Sequence, residues 1–413
     1  MNGNFKNLTI TAILLALSAP AFAAGEGNDP CAGVKSLAAG SDKASAQSLA
    51  DLVNDPDPDV QSCAIRAAGE SKNKFAAEAL LANVENYQAS RDAKGAYEDD
   101  LNARIKALDS IWALGEIGDP KVMGRLLKLF DTSDDVVKIN MAIGAGKTKS
   151  GDASKFLYEL AGKTDESNVV RAAAYEMLGE IRAKAPAARL SAKDGMEKGD
   201  LIYTGGIFGI PQGWIKETPV GHAGLYGGTE VKDGKIVVVI YDCVPDNFKP
   251  YGGVRKIYSF YNFTHHTMYA FYGNRVTKTR PTPAQRDLII KAARAKLGHH
   301  YSDTHFSQKG PEDFDCVGYT EYAYEAAGLN PTPNNQETGW GWPLTPAEQF
   351  AATVPNSHAS KTSLQAAAPV RFTVTSPSQS IITDGIGALN SAFGLKSADL
   401  PEVSTDIQPS ITE

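Results

Sequence analysis

A repeated helical pattern in the N-terminal half is the feature that most restricts the fold of this 413-residue chain. Between residues 33 and 183, four segments each contain an amphipathic helix, an Asp-containing turn, a second helix and a glycine near its end. The glycines are Gly69, Gly115, Gly146 and Gly179, separated by 46, 31 and 33 residues. A period in the thirties is typical of stacked helix pairs that bury one continuous core. We therefore predict an α-solenoid over residues 33–183.

The second helices of these repeats have the apolar stripe that a packed helix needs. In the last of them Val169, Ala173, Met177 and Leu178 fall on one face. The four segments resemble HEAT repeats, specifically the short PBS-lyase-like variety. The resemblance implies stacked helix pairs with an extended concave surface that binds a protein partner. A helical spacer without a partner is the alternative.

The first 23 residues are arranged like a secretory signal peptide. Lys6 precedes an apolar run from Leu8 to Leu17, and an A-x-A motif ends at Ala23. This run is too short to cross a membrane, and no other stretch approaches about 18 apolar residues. We therefore expect a bacterial protein that is exported, to the periplasm or as a secreted protein, without an integral membrane segment.

Charge and cysteine content narrow the chemistry further. The formal net charge of −7 gives no reason to expect a nucleic-acid partner. An exported protein can hold disulfides, and Cys31 and Cys63 are the candidate pair; two buried free thiols are the alternative. All seven histidines lie in the C-terminal half, so thiol or imidazole chemistry should be sought there.

The pattern changes after the repeats. Residues 184–199 are rich in Ala, Pro and Lys and are predicted to form a linker. Strand-like runs follow, one of them the aromatic run Lys256 to Tyr272, and then two helices, the second beginning at Cys316. We predict an α+β domain over residues 200–356. The Ser/Thr-rich residues 357–413 are predicted to be a tail or a small β appendage.

Two side chains of this domain suit nucleophilic catalysis. Asp315 is a good N-cap residue, so Cys316 would be the first residue of a helix, where the helix dipole favours the thiolate. His222 stands at the head of a strand and has the chemistry of a base that activates a thiol. Taken singly, a buried structural cysteine and a structural histidine are the ordinary alternatives.

Four short blocks resemble those of NlpC-type cell-wall cysteine peptidases. They are, in chain order, Gly199-Asp200-Leu201, Gly221-His222-Ala223-Gly224-Leu225-Tyr226, Gly298-His299-His300-Tyr301 and Asp315-Cys316-Val317-Gly318-Tyr319. Most of that family has the Cys block first, whereas here the His block precedes it, as in the circularly permuted, YiiX-like branch. The resemblance covers residues 196–355. It implies a papain-like α+β fold, with a small antiparallel sheet or barrel packed on helices.

The resemblance also implies roles for individual residues. Cys316 would be the nucleophile, and His222 the base that activates it and later protonates the leaving amine. The third catalytic position lies on the next strand, where Asp242 would orient the imidazole. Tyr241 is the alternative if the strand register differs by one residue.

Two further positions match residues that the family uses around its substrate. Asp315 matches a position that recognises the free amine of a peptidoglycan stem peptide, and Tyr301 matches a tyrosine of the substrate or oxyanion pocket. The chain departs from the family pattern at Val317, where serine is usual, and at His300, where proline is usual. The first departure bears on stem-peptide specificity, because the serine hydroxyl helps to hold the amine.

Two other patterns are rejected. The run from Gly144 to Thr148 looks like a phosphate loop but lacks its first glycine, whose place is taken by Met141. The pairs His265-His266 and His299-His300 would point to opposite sides of a strand, which argues against chelation. We expect no metal and no cofactor.

The expected function is that of an exported cysteine peptidase or amidase, a hydrolase whose substrate is an amide in peptidoglycan stem peptides or another peptide. One alternative is acyl transfer or thioesterase-like cleavage on lipid or protein acyl groups, as in the related lecithin:retinol acyltransferase. A catalytically inactive exported adaptor is the other alternative.

Overall fold

The computed structural model describes residues 31–94, 101–205, 220–248, 252–266, 268–302, 308–332 and 344–356. The predicted signal peptide and the predicted tail lie outside these residues. Within them the chain forms a helical region followed by a mixed region with a six-stranded antiparallel sheet, as expected for an α+β arrangement after helical repeats. No helix among the described residues is long and apolar enough to cross a membrane.

Nine helices make up the helical region within the described residues. They are α1 Ala32–Ala39, α2 Lys43–Leu52, α3 Pro58–Glu70, α4 Ala77–Lys94, α5 Leu101–Ile117, α6 Pro120–Leu126, α7 Asp135–Thr148, α8 Gly151–Gly162 and α9 Asn168–Glu180. Aspartates cap three of them: Asp57, Asp119 and Asp134 each accept a backbone N–H of the following first turn, and Asp134 lies in a predicted turn. The rejected phosphate loop lies inside α7.

The repeat glycines allow successive second helices to pack closely. α3, α5, α7 and α9 are neighbours in that order. A Cβ added to Gly115 would lie 2.8 Å from the Cα of Gly144, and one added to Gly69 would lie 2.6 Å from the Trp112 ring. Contacts this short leave no room for a side chain, which explains the glycine at these two positions. A disulfide joins Cys31 to Cys63, the first of the two alternatives for these thiols.

The mixed region is organised around one sheet, in the order β4-β3-β2-β1-β5-β8. Its described elements are β1 Leu201–Gly205, β2 Val220–Lys232, β3 Lys235–Val244, β4 Gly253–Ile257, α10 Phe260–Phe263, β5 Phe271–Val276, α11 Pro283–Ala295, β6 His300–Tyr301, β7 Asp313–Phe314, α12 Cys316–Glu325, α13 Pro346–Ala352 and β8 Val354–Pro355. The β2–β3 turn at Asp233-Gly234 has positive φ at both residues, as a tight hairpin requires.

The prediction of a strand-like run from Lys256 to Tyr272 is wrong in its middle. β4 ends at Ile257 and β5 begins at Phe271; α10 and a turn lie between them. The Ser259 hydroxyl accepts the backbone N–H of Asn262 and so starts a helical turn. Phe260 and Phe263 of this irregular segment are buried in the core, whereas Tyr261 is only partly buried.

Different helices pack on the two faces of the sheet. α11, α12 and α13 cover one face, where the hydroxyl of Tyr203 donates to Gln349 of α13 at 2.9 Å. The helical region covers the other face, with α9 against β3 and α7 against β5. Both regions belong to one compact unit within Met1–Pro369. The predicted linker is packed between them, since the Tyr226 hydroxyl donates to Asp194 at 2.7 Å.

Candidate active site

The predicted site residues lie where β2 and β3 separate. The register of this antiparallel pair begins with Gly224 opposite Asp242, so His222 and Ala223 lie beyond its last paired position. Because side chains alternate along a strand, His222 lies on the face to which a Cβ at Gly224 would point, and Phe263 of α10 packs on that face.

A buried carboxylate holds His222. The Nε2 atom lies 3.1 Å from Oδ2 of Asp242, and both side chains are fully buried. Arg255, directly opposite Asp242 on β4, donates to the same carboxylate from Nε at 2.7 Å and from Nη2 at 3.0 Å. Tyr241 faces the other side of the sheet, where Nε of Arg294 donates to its hydroxyl at 2.8 Å. The histidine thus contacts Asp242 and not the alternative residue.

This pairing fixes the charge of Asp242 and the tautomer of His222. Burial alone would raise the pKa of Asp242, but the Arg255 guanidinium and the His222 ring outweigh burial and hold this pKa well below its usual range. A carboxylate anion only accepts hydrogen bonds, so a neutral His222 carries its proton on Nε2. Nδ1 is then the basic nitrogen of the ring.

Aromatic side chains enclose the His222 ring. Phe263 of α10 lies 5.1 Å from it and His265 lies 5.0 Å from it, measured between ring centroids. His265 in turn packs against Phe248 and Tyr269. Burial and the neighbouring His222 lower the pKa of His265 to about 3, so this second ring is neutral at neutral pH. Among the described residues, no group of three or more His, Cys, Asp or Glu is arranged to hold a metal ion.

Cys316 begins α12 as predicted, but the expected preference for the thiolate is wrong. The N–H of Ala223, the residue that follows His222 on β2, lies within hydrogen-bonding reach of the thiol. Burial and the charge of Asp315 raise the pKa of Cys316, and the backbone N–H groups of Ala223 and Val317 offset only part of the rise. At neutral pH Cys316 is therefore a neutral thiol. The sequence revealed the helix start but not the burial of the sulfur.

Asp315 makes a structural hydrogen bond and has a raised pKa. Its Oδ1 accepts the Gly318 N–H at 2.7 Å, the N-cap bond that the sequence predicts. Burial raises the pKa of Asp315 to about 7, although hydrogen bonds from Gly318, Gln308 and Val317 oppose the rise. The carboxyl group that precedes Cys316 therefore changes charge near neutral pH.

Replacing Asp315 by asparagine should make the Cys316 thiol more reactive. Asparagine keeps the N-cap acceptor but removes the charge that raises the thiol pKa. We expect about 3- to 10-fold faster alkylation by iodoacetamide at pH 8, read by mass spectrometry of the peptide that contains Cys316. At pH 6 the two proteins should react alike, because Asp315 is then mostly protonated. Asp313→Asn is the matched control, and equal rates for Asp315→Asn and wild type at pH 8 would contradict the assignment.

The remaining predicted residue, Tyr301, lies on β6, beside the strand that leads to Cys316. It pairs with Phe314 across β6 and β7, two residues before Cys316, and its backbone N–H donates to Asp246 at 2.9 Å. Its role in a substrate or oxyanion pocket stays a prediction. The Cys243 thiol is buried and donates to the Phe314 carbonyl at 3.1 Å, a contact that needs no catalytic role.

Sequence reasoning missed two residues of this site. Arg255 binds the Asp242 carboxylate, and the available signal was a charged residue within the strand that runs from Gly253 to Ile257. Gln308 is buried and accepts the Asp315 N–H through its carbonyl at 3.1 Å. Nothing in the local sequence singled out Gln308, because its partners come from the fold.

Comparisons with known proteins give no direct indication of the function of this site. No protein-family model, no curated protein and no solved structure matches this chain. A function must therefore be inferred from the four sequence blocks and from the contacts described above.

Proposed function

We propose that this protein is a cysteine hydrolase that cleaves an amide bond with Cys316, His222 and Asp242. The main support is the hydrogen bond between His222 and a buried, anionic Asp242, at the point where the Cys316 thiol reaches the same strand. We also propose a specific fold for each region: a HEAT-like solenoid, followed by a permuted papain-like domain over residues 200–356. The order of the four sequence blocks supports that assignment.

The neutral thiol requires base-assisted attack. Nδ1 of His222 takes the proton from Cys316 while the sulfur attacks the carbonyl carbon. The imidazolium then gives this proton to the nitrogen of the leaving amine as the C–N bond breaks, which leaves a thioester on Cys316. Water, deprotonated by His222, hydrolyses the thioester and releases the acid and the free thiol. Asp242 stabilises the imidazolium in both steps.

The substrate class is the peptide part of peptidoglycan. Asp315 places a carboxyl group, with a pKa of about 7, next to the nucleophile, and a free amine of a stem peptide is a suitable partner for its ionised form. The predicted export signal would bring the enzyme to the compartment that contains this polymer. No cofactor takes part in the proposed reaction.

Digestion of purified sacculi tests the proposal. Wild-type protein should release soluble fragments whose masses identify the cleaved amide, and Cys316→Ala should release none above the level without enzyme. Cys243→Ala is the matched control, since it removes the neighbouring buried thiol and should leave the digestion unchanged. Identical fragment profiles from wild type and Cys316→Ala would exclude the peptidoglycan hydrolase.

One observation favours a second candidate, an inactive exported adaptor. A thiol with a raised pKa that is only 5% exposed is what a cysteine without a catalytic role would show. An adaptor would fail to form a thioester with any acyl donor. A covalent acyl group on Cys316 after incubation with an activated peptide ester would exclude it.

A further inference from the structure

The inner helices of the repeat region each place one side chain against the sheet region. We call Arg66 of α3, Asp109 of α5, Asn140 of α7 and Glu176 of α9 the anchor residues. All four contact one stretch of chain, residues 259–266 and 268–272, which we call the anchored segment. The spacing of the anchors along the helices follows the repeat, since each lies three or six residues before a repeat glycine.

Two anchors bind the backbone of the anchored segment. Nδ2 of Asn140 donates to the Phe271 carbonyl at 2.7 Å, and its Oδ1 accepts the Phe271 N–H at 2.9 Å. Glu176 accepts the backbone N–H of Phe260 at 2.9 Å and that of Tyr261 at 3.1 Å, together with the Ser259 hydroxyl. Backbone bonds at both ends fix the path of the segment independently of its side chains.

The other two anchors bind aromatic side chains of the same segment. The Arg66 guanidinium lies 4.4 Å from the centre of the Tyr269 ring, and the Tyr272 hydroxyl donates to Asp109 at 2.8 Å. Both tyrosine side chains are buried. The four anchors, one from each repeat, thus hold the two ends of the segment, residues 259–261 and 269–272, on either side of Phe263 and His265.

The anchored segment forms one wall of the pocket that holds the ring of His222, the proposed catalytic base. Phe263 and His265 pack on the His222 ring, and a Cβ on Gly224 would lie 2.8 Å from Phe263. His265 and His266 have φ of 51° and 62°, a left-handed conformation that surrounding contacts must hold in place for residues with a side chain. Because His265 and His266 have this backbone conformation, the segment needs stabilising contacts from other parts of the chain.

We propose that the repeat region positions the active-site wall of its own chain. The anchor residues act through the anchored segment as positioning residues for His222, and this face of the repeats binds the sheet region where we had expected an outside partner. Only the expected effect of the anchor residues on catalysis rests on the proposed function. The anchoring itself is a property of the fold.

Variants at two anchors test the proposal. Asp109→Ala removes the acceptor of the Tyr272 hydroxyl, whereas Asp109→Asn keeps an acceptor at the same place and should behave like wild type. Glu176→Ala removes the bonds to the start of α10, and Glu180→Ala, an exposed carboxylate one turn along α9, is its matched control. We expect about 10-fold faster hydrogen exchange in peptides from residues 259–272 of the two anchor-to-alanine variants, with unchanged exchange in α11.

Separate measurements test the expected effect of the anchor residues on catalysis. On peptide fragments released from sacculi, Asp109→Ala and Glu176→Ala should lose about 10-fold in kcat with an unchanged KM. The imidazole resonances of His222 should also shift in NMR spectra of both variants, and Asp109→Asn should restore them. Unchanged exchange in the segment, or faster exchange with unchanged His222 resonances, would overturn the proposal. If the wild type cleaves nothing, the proposed function fails, and the exchange and NMR results still decide the positioning role.

Discussion

Asp242→Asn should lower kcat by about 1,000- to 10,000-fold and change KM little. In the wild type, the carboxylate only accepts a hydrogen bond, so it holds the His222 proton on Nε2 and leaves Nδ1 as the base. An asparagine amide can donate to Nε2 instead, which moves the proton to the nitrogen that should receive it from Cys316. Asparagine also lacks the charge that stabilises the imidazolium formed during attack.

The measurement is initial velocity on soluble peptidoglycan fragments, expressed per folded molecule. Near-ultraviolet circular dichroism gives the folded fraction, because asparagine leaves the buried Arg255 without its anionic partner. Asp246→Asn is the matched control: this half-exposed carboxylate binds β6 near the site but not His222, and its loss should change kcat by less than about 3-fold. An Asp242→Asn enzyme with more than about a tenth of wild-type kcat would contradict the proposed role.

Local signals in the sequence predicted the parts of the fold that a few neighbouring residues determine. The Asp-Gly pair at 233 and 234 is a hairpin signal, Thr282 before Pro283 is a helix-start signal, and Asp315 marks the start of α12. The contact between His222 and Asp242 was also predictable, because the strands that carry them are consecutive. Antiparallel neighbours in sequence commonly become neighbours in the sheet.

The contacts that the sequence did not reveal join distant parts of the chain. Asn140 binds Phe271 across 131 positions, and Glu176 binds Phe260 across 84. No helical period or turn motif encodes such a pairing, since it depends on how the two regions pack. The raised pKa of Cys316 has the same origin, because burial of the sulfur is a property of the assembled site.

Arg255→Met should lower the free energy of unfolding by about 3–5 kcal/mol at pH 7. The guanidinium is 3% exposed and binds a carboxylate that is fully buried, so its removal leaves an anion in the interior with only His222 beside it. Urea unfolding followed by circular dichroism measures the loss. Arg294→Met is the matched control: this exposed arginine donates to the Tyr241 hydroxyl, and its replacement should cost less than about 1 kcal/mol.

The pH dependence of this loss identifies its cause. In the wild type, the pKa of Asp242 lies below its ordinary value of 3.8, so its contribution to stability is present above pH 4 and is lost only as the pH falls further. Without Arg255, burial would raise the pKa of Asp242 above its unfolded value, and stability would fall as the pH rises through the new pKa. The difference between the two proteins should therefore be larger at pH 7 than at pH 4.5.

A double variant separates the unpaired charge from the loss of packing. Asp242→Asn combined with Arg255→Met removes both charges, so at pH 7 it should be about 1–3 kcal/mol more stable than Arg255→Met alone. It should remain inactive, because His222 still lacks its carboxylate. If the double variant is no more stable, and the single variant loses the same stability at both pH values, then Arg255 supports the site through packing and not by compensating Asp242. In that case the charge on Asp242, and with it the fixed tautomer of His222, would need another source.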